Sequence, residues 1–168
     1  MKKPAVLLQP TVASGQAPFD RAFIDSMVPH HQAAIEMADA AKEAGITQPE
    51  LIKIADDIIA TQQVEIDQML EWRQQWFGSK GREPEAAALE VLGLTAAEAG
   101  MEHDSMDLAT ADDVDQAFAG MMIGHHVGAI RMAKLGSRVG LGSRALVGAA
   151  RWRRVGSLAG GQAEPGSS

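Results

Sequence analysis

The sequence predicts an all-α protein, a four-helix bundle built from two tandem helical hairpins. Three observations predict it. Apolar residues recur at helical spacing, and almost no stretch alternates as a strand would. Helix start and stop residues recur in order along the chain. The first long helix is also repeated: with an offset of 95, Asp20–Asp39 and Asp115–Lys134 are identical at ten of twenty positions, in the pattern D-x-A-F-x-x-x-M-x-x-H-H-x-x-A-I-x-M-A. Two hairpins related in this way close a bundle about a pseudo-two-fold axis.

Residues 1–16 carry Met1-Lys2-Lys3, a short apolar run from Pro4 to Leu8, and small or polar residues to Gln16. That is the order of a secretory signal, but the apolar run is shorter than the roughly 7–15 residues expected. The segment reads either as a signal remnant or as a disordered tail. The helical domain follows over 17–135, with its two halves at 17–78 and 110–135. Pro18 stands near the start of the first helix and Gly45 after its end. Thr47-x-x-Glu50 reads as a capping box, with Pro49 in the first turn of a second helix from Gln48 to about Phe77, closed by Gly78. Its inward row is expected to be Ile54, Ile58, Glu65, Met69, Trp72 and Trp76. Residues 79–94 read as loop. Thr95-x-x-Glu98 marks a short helix, and Thr110-x-x-Asp113 opens a long one from about Ala111 to Leu135, followed by Gly136. Residues 136–168 change character. They hold five arginines, one acid (Glu164) and eight of the 17 glycines, for a charge of +4 against −7 − 4 = −11 over residues 1–135. A weak fourth helix around Arg144–Leu158 is the most this tail offers, so the last helix is atypical or missing.

Composition narrows the function. At 168 residues and 46% apolar, the chain suits one domain with a core. A net charge of −7 argues against nucleic acid. No run reaches the roughly 18 apolar residues of a membrane span. The absence of cysteine removes disulfides, thiolate zinc sites, iron–sulfur clusters and a cysteine nucleophile. No catalytic triad spacing, nucleophile elbow, phosphate loop or dinucleotide fingerprint is present, so the chain does not read as an enzyme.

The repeated helix carries the chemistry. At about 100° per residue, Asp20, Phe23, Met27, His30, His31, Ala34, Met37 and Ala38 share one broad face, with Glu36 opposite. The copy presents Asp115, Phe118, Met122, His125, His126, Ala129, Met132 and Ala133. A single core methionine is usually a gap-filler, and a single core histidine is usually hydrogen-bonded. Four imidazoles repeated by internal symmetry point to ligand duty, because a buried imidazole without partners costs about 1–3 kcal/mol. Pro29 removes a helix-interior donor, and Gly124 at the same place in the copy is a poor helix former; both loosen the helix beside the histidines. Imidazole plus thioether without thiolate suits copper, above all Cu(I); zinc through His and Asp or Glu fits less well. A di-iron centre is disfavoured because Glu-x-x-His is absent. Met101-Glu102-His103-Asp104-Ser105-Met106 adds a third Met/His cluster, with His103 as a further candidate ligand.

These segments resemble domain of unknown function family 305, a bacterial group of ferritin-like helical bundles. The family's M-[IV]-x-H-H-x-x-A-I-x-M-A helix is matched by Met27–Ala38 and again by Met122–Ala133. Its E-I-x-x-M-x-x-W helix is matched by Glu65, Ile66, Met69 and Trp72. The resemblance covers about Ala17 to Leu135 and departs where the family would place a second such helix, in the tail. It implies a ferritin-like fold, export to the periplasm, cell surface or exterior, and copper binding or tolerance. The ligand set it supports is His30, His31, His125 and His126 with Met27, Met37, Met122 and Met132, and Glu65 and Met69 from the second helix. The alternative is a metal-free dimerisation or partner-binding module with core histidines. A homodimer would also complete a half that the tail leaves open.

Overall fold

The computed structural model describes residues 17–102 and 105–138. Among them every regular element is helical: α1 (Ala17–Ala44), α2 (Pro49–Phe77), α3 (Glu85–Leu92), a 3-10 helix (Ser105–Thr110) and α4 (Val114–Arg138). The protein is all-α, as its periodicity predicts. The expectations for residues 1–16, for His103 and for a helix around Arg144–Leu158 lie outside the described residues.

Helix α1 is the centre of the molecule, and every other element packs on it. It runs unbroken through Pro29 and stops at Gly45, whose φ of 90° only glycine adopts readily. Helix α2 returns antiparallel. Lys42 Nζ meets Asp56 Oδ1 near the turn, His31 meets Glu65 halfway along, and Arg73 meets Asp25 at the far end. Helix α4 also runs antiparallel to α1. Asp115 at its start contacts Thr47, His125 crosses His30, and Met132 joins the core around Ala22–Val28.

The core is two clusters. One joins Phe23, Ile24, Met27 and Val28 to Ile66, Met69, α3, Ala99 and Met132. The other joins Ala34, Met37, Ala38 and Ala41 to Ile46, Ala55, Ile58, Leu108, Phe118 and Met122. The histidines of α1 and α4 lie in sequence between the residues each helix gives to the two clusters.

Several expectations need correction. The buried row of α2 is Ala55, Ile58, Gln62, Ile66, Met69 and Arg73. Ile54 is exposed, and Glu65, Trp72 and Trp76 are only partly buried. The row was misread because two of its members are polar, and Arg73 is admitted to the interior by Asp25. Residues 79–94 are not all loop. Glu-Ala-Ala-Ala-Leu-Glu-Val-Leu after Pro84 forms α3 and buries Ala88, Leu89 and Leu92. These residues are mostly good helix formers, with an acid in the first turn. Thr95 and Glu98 do bond reciprocally as a capping box, but the segment is a turn rather than a helix.

The other two boxes do not form. Thr47 gives its hydroxyl to Asp115 Oδ2 at 2.6 Å, and its amide and that of Gln48 donate to Asp115 Oδ1 at 2.8 and 3.3 Å. A carboxylate from α4 thus caps the start of α2, and the Thr47 hydroxyl, followed by these amides, holds that carboxyl below its ordinary range. Thr110 ends the 3-10 helix, so Asp113 caps α4 instead, accepting from the Gln116 amide at 2.9 Å. Helix α4 also continues past Gly136 to Arg138.

The glycines of α4 admit the connector. A Cβ on Gly128 would lie 1.9 Å from the Ala99 carbonyl oxygen. One on Gly100, itself at φ +71°, would lie 2.7 Å from the Gly124 oxygen and 3.0 Å from His125 Cα. The 96–101 turn therefore rests directly on the α4 backbone behind His125, and Arg131 Nη1 donates to the Glu98 carbonyl beside it. Gly128→Ala should destabilise the fold by about 1–3 kcal/mol, because backbone rather than a pliant side chain occupies the space. Urea unfolding measures this, and an unchanged midpoint would contradict the close approach.

The two copies of the repeated helix differ in cover. Val28 is 0% exposed, whereas its counterpart Ile123 is 67% exposed, in a stripe with Val127 and Ile130. No helix is long and apolar enough to cross a membrane among the described residues.

Candidate metal centre

The face expected of α1 is the face it buries: Asp20, Phe23, Met27, His30, His31, Ala34, Met37 and Ala38 are all buried, and Glu36 is exposed. On α4, Phe118, Met122, His125 and Met132 are buried, while His126, Ala129 and Ala133 are partly so. The methionines flank the histidine layer in symmetric pairs. Met27 and Met132 belong to one core cluster, and Met37 and Met122 to the other.

At the α1–α4 crossing the His30 and His125 rings lie against each other, with centroids 3.5 Å apart and planes tilted by 31°. His30 Nε2 donates to the His125 carbonyl at 3.1 Å, which fixes its proton on Nε2 and leaves Nδ1 as the nitrogen with a lone pair. Burial pushes this imidazole well below its ordinary pKa, and His125 and His31 beside it push further; the hydrogen bond to the His125 carbonyl opposes them. Below about pH 6.5 the unfolded chain takes up a proton at His30 that the folded chain refuses. The neutral ring's contribution is whole above that pH and is lost as pH falls toward the depressed folded value. In metal-free protein the urea midpoint should therefore drop between about pH 7 and pH 5, before carboxylates titrate. His30→Gln should flatten the drop. A midpoint constant over that window would contradict a neutral, buried His30.

His126 is held differently. Its Nδ1 donates to the Met122 carbonyl one turn back at 2.7 Å, leaving Nε2 as the lone-pair nitrogen.

His31 faces α2. Its Nε2 lies 3.1 Å from Glu65 Oε2, with the imidazole almost fully buried and the carboxylate 31% exposed. One turn earlier on α1 is Met27, and one turn later on the antiparallel α2 is Met69. Both are buried in the same cluster. Met27, His31, Glu65 and Met69 thus stand on two facing rungs. Two ligands at tetrahedral corners with bonds of about 2.0 Å are about 3.3 Å apart, so the His31–Glu65 pair is already spaced like one edge of such a site. Among the described residues no three His, Asp or Glu side chains form a metal-holding group. A metal on these rungs would need the thioethers, which is soft-metal chemistry.

One polar residue here was not foreseen. Gln62, one turn before Glu65 on α2, is only 2% exposed, and its Oε1 has no hydrogen-bond partner. The signal was available in its spacing with Ile58, Ile66 and Met69, but an amide within an apolar row reads as an interruption rather than a member.

The chain is similar to CopM in the Cu(II)-bound form, with 38% identity over 73% of this chain and 77% of that one and a TM-score of 0.58. It is also similar to CopM in the Cu(I)-bound form, with 37% identity over 68% and 70% and a TM-score of 0.54. No functionally curated protein matches it. The model of the family described as Domain of unknown function (DUF305) matches residues 12–145. With that match over most of its length, the chain belongs to the DUF305 family.

Proposed function

We propose that this protein binds copper and holds or passes on the metal, with no catalytic turnover. The observation that carries the reading is the double rung of Met27 and His31 on α1 facing Glu65 and Met69 on α2. Two thioethers, an imidazole and a carboxylate within one helical hairpin suit copper, and Cu(I) above all. Zinc fits less well, because the methionines would be idle. The likeness to the copper-bound forms of CopM supports the same ion. His30, His125 and His126, with Met37, Met122 and Met132, form a second candidate set, and His103 remains a candidate by its sequence alone. The family resemblance adds that the protein works after export.

Titrating the metal-free, untagged chain with Cu(I) against a chromophoric chelator tests this. Met27→Leu with Met69→Leu nearly conserves core volume, so the fold should survive while affinity falls. Equal affinity in the two proteins would sink the reading.

A second reading has its own observation. The exposed stripe of Ile123, Val127 and Ile130 on α4 favours self-association or partner binding. Sedimentation equilibrium decides it, since a chain that remains monomeric at high concentration excludes the dimer.

A further inference from the structure

The four residues on the two rungs explain Cu(I) better than Cu(II). Cu(I) takes thioethers readily, whereas Cu(II) favours nitrogen and oxygen donors in a tetragonal arrangement. On these rungs the hard donors are only His31 and Glu65.

Gln62 changes that count. It is buried on α2 with its Oε1 unpartnered. Burying an amide oxygen without a donor is unfavourable, and native proteins rarely leave one so without a reason. Three residues along a helix bring side chains onto the same face, so Gln62 lies beside Glu65, on the side away from Met69. The row Gln62, Glu65, Met69 therefore runs from hard to soft along α2, with Glu65 facing His31 and Gln62 about one turn further along the antiparallel pair, away from Met27.

We propose that the Gln62 side-chain carbonyl is an oxygen ligand that admits Cu(II) to this site. His31, Glu65 and Gln62 make a nitrogen-and-oxygen end for Cu(II), and Met27 and Met69 make a thioether end for Cu(I). The inference rests on the copper reading above and adds the residue that determines which oxidation state is accepted.

Gln62→Leu and Gln62→Glu test it in the full chain, read by affinity for each ion separately and by electron paramagnetic resonance of the Cu(II) form. Gln62→Leu should lose about tenfold or more in Cu(II) affinity, the scale of losing a residue that ligates or orients at a metal site. Its copper hyperfine pattern should change as an oxygen leaves the coordination sphere, and its Cu(I) affinity should stay within about twofold of the natural chain. Metal-free Gln62→Leu should melt no lower than the natural chain, since no hydrogen bond to Oε1 is lost. Gln62→Glu should restore Cu(II) binding. Unchanged Cu(II) affinity and spectrum in Gln62→Leu, with Cu(I) still bound, overturn the inference alone and leave a buried water as the oxygen's partner. A natural chain that binds neither ion overturns the site reading and the inference with it.

Discussion

Replacing His31 with alanine is expected to weaken Cu(I) binding by about a hundredfold, close to 2.7 kcal/mol, while His126→Ala costs several times less. Both residues occupy the same place in the repeat, so sequence symmetry alone predicts equal effects. Their surroundings break the symmetry. His31 faces Glu65 at 3.1 Å, with Met27 and Met69 on the next rung. The offset of 95 that carries Met27 and His31 onto Met122 and His126 carries Glu65 and Met69 onto Gly160 and Glu164. The second half thus keeps the α1-type pair and loses the α2-type pair. Removing a ligand outright should cost at least the upper end of the 10–100-fold range for losing a residue that merely orients one. Chelator competition on the two single variants measures the difference, and equal losses would contradict the assignment of the primary site to the α1–α2 hairpin.

Arg73→Met is expected to cost about 3–5 kcal/mol of stability, or on the order of 10 °C in Tm for a chain of this size. Arg73 Nε and Nη2 grip the two oxygens of Asp25 at 2.6 and 3.1 Å, with both side chains almost fully buried. The guanidinium also donates to the Ser79 carbonyl, and Asp25 accepts from the Glu83 amide at 3.2 Å. The pair ties α1 and α2 to the link before α3. Loss of Arg73 leaves a carboxylate in the interior with Glu83 N as a near donor and Arg21 Nε 3.9 Å away, which places the cost toward the lower end of that range. Adding Asp25→Leu removes the stranded charge and should recover most of the loss, because replacing both members of a buried ion pair is often close to neutral. Denaturant unfolding of the single and double variants measures this. A single variant as stable as the natural chain would show that the pair does not hold the helices.

The repeat was the most legible part of the molecule. Its helical period and the identity of Met27, His30, His31, Met37 and Ala38 with their copies fixed a shared inward face, and α1 buries all of it. Helix α2 was less legible, because Gln62 and Arg73 lie in its buried row and hydropathy assigns neither to an interior. Asp25, which admits Arg73, lies 48 residues away from it, and no local pattern joins them. The capping box at Thr47 failed for a related reason. Thr47 has a partner in Asp115, 68 residues on, and a tertiary hydrogen bond displaced the local one. Gly124, a poor helix former by propensity, sits in an unbroken helix with its carbonyl under Gly100 of the connector. The contact of the His30 and His125 rings follows from an antiparallel crossing at equivalent residues, which the repeat permits but does not specify.

Methionine thioethers and His31 would share a copper ion between α1 and α2, and X-ray absorption at the copper K edge of protein loaded with one Cu(I) would show it. The spectrum should contain a mixed shell of sulfur and nitrogen or oxygen scatterers, with the sulfur contribution lost in the Met27→Leu, Met69→Leu variant. A shell of nitrogen and oxygen alone, or a sulfur contribution that survives both substitutions, would contradict it.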